Sequence, residues 1–205
     1  MDLFAKARGE GTATRPLAAR MRPQSLEEIV GQDAILGPGK LLRRAIEADR
    51  LQSIILFGPP GCGKTSLADV IAHVTKRHFE RTSGVVANVP ILRSLLDQAR
   101  YRRDSEGLET ILFIDEIHRF NKAQQDVLLP HVEDGTVTLI GATTHNPLFF
   151  INSPLTSRSL IFELRPVSEE AVAALLRRAL GDERGLAAFR VSADAGFGIG
   201  VPARE

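Results

Sequence analysis

The chain has 205 residues, of which 43% are hydrophobic and 25% charged, enough for one ordinary core with a small second unit attached. Its 26 Lys and Arg against 25 Asp and Glu leave a formal net charge of +1, so charge alone indicates no large phosphate-neutralising surface. The single cysteine excludes a disulfide framework or a cysteine zinc cluster. Since no apolar run approaches the roughly 18–20 residues of a membrane span, we expect a soluble, cytoplasmic protein with no membrane partner.

The segment from Pro16 to about Pro166 has the pattern of an α/β domain. Unbroken apolar runs, which are typical of strands covered by helices on both faces, alternate with amphipathic helical stretches. The predicted strands include Ile54–Phe57, Ile111–Ile114, Val137–Ile140 and Leu160–Phe162. The predicted helices carry Leu67, Val70, Ile71 and Val74 in one apolar stripe and Ile91, Leu92, Leu95, Leu96 and Ala99 in another. This alternation predicts a parallel sheet with right-handed crossovers.

The predicted organisation has three segments in all. Residues 1–15 read as a flexible leader, 16–166 as the α/β core, and 167–205 as a partial helical lid with an irregular tail. A third core helix is expected to start after Asn121 as N-cap, with Pro130 kinking or ending it. The lid helix is expected to start after Ser168 and to bury the stripe Val172, Leu175, Leu176 and Ala179.

One glycine-rich segment matches the pattern G-x-x-x-x-G-K-[ST] between a buried strand and an amphipathic helix. Its residues, with the one that follows, are Gly58, Pro59, Pro60, Gly61, Cys62, Gly63, Lys64, Thr65 and Ser66. Glycines let backbone N–H groups surround phosphates, and the helix N terminus adds positive potential. Lys64 is expected to reach the β- and γ-phosphates and Thr65 to ligate Mg²⁺. Cys62 reads as a small filler, because a nucleophilic thiol would need a partner base.

Two carboxylates follow the predicted strand that ends at Ile114. Parallel strands present their C-terminal ends at the ligand crevice, so Asp115 and Glu116 are expected beside the phosphate loop. Asp115 is expected to help hold Mg²⁺, and Glu116 is expected to act as the general base that activates a water. The alternative is a solvated acidic turn. The five histidines have no metal-ligand spacing, and His118 reads as a packing or hydrogen-bonding residue.

Several motifs together resemble a known family. Leu17–Pro23, Gly31-Gln32, the phosphate loop and Asp115-Glu116 resemble AAA+ ATPases of the clamp-loader type. Phe113–Asp126, Leu129–Gly135 and Gly141–Thr144 resemble, more narrowly, the replication-associated recombination protein A family. The resemblance covers about Pro16 to Gly185.

This resemblance implies a fold and an activity. The fold is an αβα P-loop core with a five-stranded parallel sheet in the order 5-1-4-3-2, followed by a helical lid. The activity is DNA-dependent hydrolysis of Mg·ATP at stalled or gapped replication forks, in a homo-oligomer in the nucleoid-associated cytoplasm. The implied partners are single-stranded, gapped or forked DNA, a single-stranded-DNA-binding protein and the sliding clamp.

The resemblance also implies further site residues. An adenine pocket would be lined by Leu17, Ala18, Arg22, Pro23, Ile29 and Val30. Thr144 matches the polar residue at the end of strand four, with Thr143 as the alternative, and Arg158 matches an arginine that reaches a neighbouring subunit's ATP. From the residues alone, the threonines read equally as strand formers and Arg158 as a surface arginine.

The chain departs from the family pattern at several places. His145 stands where the family usually has Glu, and Ser83–Pro90 differs from the usual segment. The lid arginine that senses the γ-phosphate and the C-terminal oligomerisation domain are absent, which suggests a chain truncated in or after the lid. The alternative functions are therefore an ATP-binding module with little hydrolysis of its own and, more remotely, a small-molecule kinase. Met1–Phe4 faintly resembles a sliding-clamp-binding peptide, but an incidental Leu-Phe in a disordered leader is preferred.

Overall fold

The structure, a computed structural model, describes residues 16–187. The predicted leader at 1–15, with Met1–Phe4, and the predicted tail at 191–205 lie outside the described residues. The chain divides into a larger unit, Pro23–Ala171, and a smaller one made of Met1–Arg22 and Val172–Glu205. The predicted domain boundaries at 16 and 166 stay predictions.

The helices and strands of the described residues follow one another in α/β alternation. The strands are β1 (Ile54–Phe57), β2 (His78–Ser83), β3 (Thr110–Asp115), β4 (Val137–Thr143) and β5 (Leu160–Glu163). The α-helices are α1 (Leu17–Arg20), α2 (Asp33–Leu36), α3 (Leu41–Glu47), α4 (Lys64–Val74), α5 (Val89–Glu106), α6 (Lys122–Glu133), α7 (Pro147–Phe150), α8 (Ser153–Thr156) and α9 (Glu169–Gly181). Short 3₁₀ helices span Leu26–Glu28 and Ile117–Arg119.

The five strands form one parallel sheet in the order β2-β3-β4-β1-β5. This is the predicted order 5-1-4-3-2 viewed from the other edge, so the predicted P-loop α/β core is confirmed. All strands run in the same direction, and their C-terminal ends therefore share one edge of the sheet. The residues that follow β1, β3 and β4 meet at that edge.

Each face of the sheet carries its own apolar core. Leu42, Ile46, Leu67 and Ile71 pack with Ile54, Leu56, Ile111 and Phe113 on one face. Leu92, Leu96 and Leu128 pack with Ile55, Leu112, Ile114 and Leu139 on the other. Because successive strand residues point to opposite faces, an unbroken apolar run feeds both cores, as the sequence pattern indicated.

Helix α6 begins as predicted but does not end at its proline. Asn121 accepts from the Gln124 N–H while the Gln124 side chain accepts from the Asn121 N–H, a reciprocal capping box. The helix runs on past Pro130 to Glu133, and the Pro130 carbonyl accepts from the Asp134 N–H. Of the two predicted effects of Pro130, ending the helix is therefore wrong, and kinking it stays a prediction.

In the lid helix α9, the predicted start is confirmed and the predicted buried stripe is not. The Ser168 hydroxyl accepts from the Ala171 N–H at 3.2 Å, as an N-cap does. Ala179 is buried, but Val172 is 44% exposed and Leu176 is 60% exposed. The described residues of the smaller unit offer little besides the short helix α1 to cover such a stripe.

Within residues 16–187, no helix combines the length and apolarity needed to cross a membrane.

At the N-terminal edge of the sheet, Arg77 joins several segments. Its guanidinium donates to the carbonyls of Leu51 at 3.1 Å and Asp49 at 2.8 Å, and to the Thr138 hydroxyl at 2.9 Å. Its Nε also lies 3.2 Å from an Asp49 carboxylate oxygen and 3.0 Å from one of Glu109. The Arg77 side chain is only 11% exposed, so these acceptors would not regain full hydration if the guanidinium were removed.

We expect Arg77→Ala to lower the free energy of unfolding by about 2 kcal/mol, because partly buried acceptors lose their donor. Arg77→Lys should recover part of the loss, since an ammonium keeps the charge but not the planar fork. Urea unfolding followed by circular dichroism measures both, with the exposed Arg93→Ala as control. An effect of Arg77→Ala equal to that of Arg93→Ala would contradict the structural role.

Candidate active site

The segment between β1 and α4 is a glycine-rich loop, the cradle in which phosphates are expected to bind. Gly61 and Gly63 have φ of +78° and +98°, a left-handed conformation that only glycine adopts freely. Gly63 is also the N-cap of α4, and no side chain among the described residues caps that N terminus. The first-turn N–H groups of an 11-residue helix are thus left for an external acceptor, which suits an anion.

Lys64 already lies inside this cradle. Its side chain is buried, and Nζ donates to the carbonyls of Gly58 at 2.7 Å and Pro59 at 2.8 Å. The Cys62 sulfur lies 3.6 Å from the same nitrogen and is itself buried, as expected of a small filler. The loop therefore holds an ammonium group at its centre, where phosphate oxygens could replace the two carbonyls as acceptors.

We expect Lys64→Ala to weaken ATP binding by roughly 10- to 100-fold, the worth of one or two hydrogen bonds to a charged group. Equilibrium titration with a fluorescent ATP analogue measures the change. Lys40→Ala, at an exposed lysine outside the loop, is the control and should bind like the unmodified protein. Unchanged affinity in Lys64→Ala would show that the nucleotide does not lie in this loop.

Asp115 and Glu116 lie at the same edge of the sheet as the phosphate loop. Asp115 is the last residue of β3, and only β4 separates β3 from β1. Strands lie about 4.8 Å apart, so the two strand ends are about 10 Å from each other. The register pairs Ile114 with Gly141 and Phe57 with Thr143, which places both strand ends at nearly the same height. The end of β3, with Asp115, therefore lies about two strand spacings from the end of β1, where the phosphate loop begins.

Glu116 has an unusual backbone and an exposed carboxylate. Its φ is +52°, in the left-handed region, and its N–H donates to Asp115 Oδ1 at 3.0 Å. Its carboxylate lies 2.5 Å from Arg119 Nε. The hydrogen bond from Arg119 lowers the pKa of the Glu116 carboxyl below its ordinary value, so this group is ionised at neutral pH, as a general base must be.

The two threonines at the end of β4 have different surroundings. Thr143 is buried, and its hydroxyl lies 3.0 Å from His118 Nδ1 and accepts from the His145 N–H at 3.0 Å. Thr144 follows the last residue of β4 and is exposed. Since Thr143 is committed to these partners, the exposed hydroxyl of Thr144 is the better placed of the two to meet a ligand.

His118 has the hydrogen-bonding role that the sequence suggested, together with a contact that the sequence did not reveal. Its ring centroid lies 4.4 Å from that of His145, the residue that departs from the family pattern. Burial lowers the pKa of the His118 imidazole, and the neighbouring His145 acts in the same direction. A neutral His118 thus links the loop after the acids to the end of β4.

Arg158 lies at the N-terminal edge of the sheet, opposite the edge that carries the phosphate loop. It precedes Leu160, which pairs with Ile54 at the start of β1, whereas the phosphate loop begins after Phe57 at the end of that strand. The four residues of β1 span about 13 Å. The Arg158 Nη2 lies 2.6 Å from Glu133 Oε1, beside an open cleft of about 800 Å³. Arg158 therefore does not belong to the phosphate site of its own chain.

The predicted adenine-pocket residues are divided between the two units. Pro23, Ile29 and Val30 belong to the larger unit, where all three are half-buried. Leu17, Ala18 and Arg22 belong to the smaller unit. Their shared role in one pocket stays a prediction.

Gln32 is a supporting residue whose role the sequence did not reveal, although Gly31-Gln32 is part of the family resemblance. The Gln32 side chain is buried and donates to the Cys62 carbonyl at 3.1 Å and to the Arg165 carbonyl at 2.8 Å. Its oxygen accepts from the Arg165 N–H at 3.1 Å. One amide thus ties the phosphate loop to the segment after β5, and only the folded chain reveals such a contact.

The oxygen donors at this edge fit Mg²⁺ that arrives with a nucleotide. Within residues 16–187, no cluster of three or more His, Cys, Asp or Glu side chains could hold a metal by itself. Thr65 and Asp115 would supply two oxygen ligands, and Mg²⁺ typically takes one or two protein oxygens together with phosphate oxygens and waters.

Comparison with known proteins identifies relatives of this chain. Residues 21–140 match the sequence profile of the Holliday junction DNA helicase RuvB P-loop domain. The chain is 52% identical over 169 residues to Replication-associated recombination protein A of Escherichia coli, covering 82% of this chain and 38% of that protein. It is 43% identical over 181 residues to the Bacillus subtilis protein of the same name, covering 88% of this chain and 42% of that protein.

Solved structures agree with this relationship. The Thermotoga maritima RuvB Holliday junction branch migration motor superposes with a TM-score of 0.63 at 34% identity, covering 79% of this chain and 54% of that one. The present chain spans about two fifths of the length of the two curated relatives described above.

Proposed function

The chain belongs to the family of RuvB-like AAA+ P-loop ATPases and has replication-associated recombination proteins A among its relatives; from this premise we propose that it binds Mg·ATP, hydrolyses it, and acts in DNA replication-fork maintenance, recombination and repair. The observation that carries the proposal is the meeting, at one sheet edge, of the loop that holds Lys64 with the acids Asp115 and Glu116. The names of the relatives support the cellular role. The site supports the chemistry.

Nucleotide binding uses the backbone N–H groups of the loop together with Lys64, whose Nζ already bonds loop carbonyls. The N–H groups of the loop and of the first turn of α4 donate to phosphate oxygens, and Lys64 exchanges the Gly58 and Pro59 carbonyls for the β- and γ-phosphates. Thr65 and Asp115 would hold Mg²⁺, and the ion would supply positive charge beside the phosphates. The adenine contacts implied by the family resemblance, Leu17, Ala18, Arg22, Pro23, Ile29 and Val30, stay a prediction, and of these Pro23, Ile29 and Val30 belong to the larger unit that carries the phosphate loop.

Hydrolysis needs one oriented water and one base. The ionised Glu116 carboxylate accepts a proton from the water as the water oxygen attacks the γ-phosphorus, and the bond to the β,γ-bridging oxygen breaks. Thr144 positions that water from the end of β4. The ion pair with Arg119 is made through one oxygen of this carboxylate, Oε2, so the other oxygen can accept the proton of the water.

In an assembly of several copies, Arg158 of one chain could reach the phosphate site of another chain. Arg158 is too far from its own phosphate loop to act there, which supports a role at the ATP of a neighbouring copy in a homo-oligomer. Such an arrangement makes hydrolysis depend on protein concentration. We place this assembly on single-stranded, gapped or forked DNA in the nucleoid-associated cytoplasm, with a single-stranded-DNA-binding protein and the sliding clamp as further partners.

Two measurements test the proposal. Titration with labelled ATP and Mg²⁺ tests the site, and phosphate release over a range of protein concentrations, with and without gapped or forked DNA, tests hydrolysis. Absence of ATP binding would overturn the proposal. Binding with phosphate release at the buffer background under every condition would instead support the alternative, a non-catalytic ATP-binding module, and transfer of phosphate to a small acceptor would support a kinase.

A further inference from the structure

Gly84 lies against the acidic pair, in the loop that follows β2. The last residue of β2, Ser83, pairs with Asp115 at the end of β3. The next residue continues the pairing, because the Gly84 N–H donates to the Asp115 carbonyl at 2.7 Å. The backbone of Gly84 therefore runs directly beside the peptide that joins Asp115 to Glu116.

Residue 84 is a glycine because a larger side chain would not fit there, and not because of its backbone conformation. The φ of Gly84 lies outside the left-handed region, so other residues could adopt the same backbone. A Cβ built on Gly84, however, would lie 2.3 Å from the Glu116 carbonyl oxygen and 3.1 Å from the Glu116 carbonyl carbon. It would also lie 3.1 Å from the Arg119 Cβ. The close approach is to backbone, which cannot swing aside as a flexible side chain can.

The Glu116 carbonyl is held in the position that would clash. Glu116 is left-handed at φ +52°, a conformation that residues other than glycine seldom adopt. Its carbonyl oxygen accepts from the Arg119 N–H at 2.9 Å, which closes the turn of the 3₁₀ helix Ile117–Arg119. Moving this carbonyl would rotate the Glu116 backbone, from which the carboxylate projects.

We propose that Gly84 is a positioning residue for the catalytic base. Because Gly84 has no side chain, the Glu116 backbone has room to stay left-handed, and this backbone conformation directs the Glu116 carboxylate. This inference rests on the proposed function, in which Glu116 is the base. Misplacement of a reacting group by about 1 Å can cost roughly 100-fold in rate, so a contact made purely by backbone can control hydrolysis. The phosphate grip of Lys64 and Thr65 follows another strand and does not share this contact.

The first test compares the steady-state kinetics of ATP hydrolysis in Gly84→Ala and the unmodified protein. We expect kcat to fall at least about tenfold while KM and the dissociation constant for ATP change less than about twofold. Two control variants should keep the unmodified rate. Val85→Ala alters the same loop at an exposed side chain, and Gly181→Ala adds a methyl group where no atom lies within 4 Å.

The second test uses thermal unfolding and needs no activity. A glycine at position 116 can adopt other backbone conformations, so the substitution Gly84→Ala should lower Tm less in a Glu116→Gly background than in the unmodified protein. If Gly84→Ala alone fails to fold, the double variant should still fold.

The outcomes separate the inference from the function on which it rests. An unmodified protein that binds no ATP or releases no phosphate overturns the proposed function. An active protein whose Gly84→Ala variant keeps its kcat overturns the inference alone. Equal losses of Tm in the two backgrounds, or failure of both variants to fold, also overturn it.

Discussion

Glu116→Gln is expected to keep the ATP affinity of the protein within about twofold and to reduce hydrolysis by about 10²- to 10⁴-fold, the usual contribution of a general base. The amide has the shape of the carboxylate but cannot accept the proton of the attacking water. ATP affinity should survive because the phosphates are gripped by Lys64 and the first turn of α4, which follow β1. Binding is measured by titration with labelled ATP, and hydrolysis by single-turnover phosphate release.

A matched control and a contradicting result sharpen this prediction. Glu106→Gln makes the same chemical change at the exposed end of α5 and should leave both quantities unchanged. Loss of ATP affinity in Glu116→Gln would contradict its assignment as base and suggest that it takes part in nucleotide or metal binding. A rate that survives in Glu116→Gln would show that another group activates the water.

Arg158→Ala is expected to reduce hydrolysis by about 10³-fold or more while leaving ATP binding by the isolated chain intact, because an arginine supplied in trans stabilises charge on the transferred phosphoryl group. Arg158 lies about 13 Å or more from the level of its own phosphate loop, the span of β1. Its present partner is Glu133, at 2.6 Å. Phosphate release measured against protein concentration tests the prediction.

Mixing two inactive variants distinguishes action in trans from a structural role. Arg158→Ala retains Glu116, and Glu116→Gln retains Arg158, so a mixed assembly contains some complete sites. We expect the mixture to hydrolyse ATP faster than either variant alone. The double variant mixed with Arg158→Ala forms no complete site and serves as the control. If the first mixture stays inactive, or if Arg158→Ala alone hydrolyses ATP normally, Arg158 does not act across a subunit boundary.

Much of the fold could be predicted because the buried strands are purely apolar. The runs Ile54–Phe57 and Ile111–Ile114 feed both faces of the sheet, and no polar residue interrupts them. β2 (His78–Ser83) gave no such signal, since it reads HFERTS, lies at the edge of the sheet and, among the described strands, pairs with β3 alone. An edge strand covered less fully can carry charged residues, and its pattern then resembles that of a loop.

The same logic explains the lid helix. The spacing of Val172, Leu175, Leu176 and Ala179 predicts one apolar stripe, and periodicity alone cannot tell whether a partner covers it. Val172 and Leu176 are exposed among the described residues, while Ala179 is buried. Burial depends on what packs against the helix, which is a property of the folded chain.

The candidate site divides along a similar line. Gly58–Thr65 could be predicted from the sequence, because phosphate binding by backbone N–H groups demands glycines at set positions and a lysine at one. Asp115 and Glu116 could be predicted because acids that end a buried strand reach the crevice. These motifs are local in the chain, so their chemistry can be read without the fold.

Only the tertiary structure decided which distant residues support those motifs. Gln32 bonds the phosphate loop and Arg165, His118 bonds Thr143, and Gly84 leaves room for the Glu116 carbonyl. None of these contacts follows from local spacing, because each joins segments that meet only when the parallel strands align. Local sequence therefore determined the phosphate loop and the acids, while strand order and register determined the contacts that hold them in position.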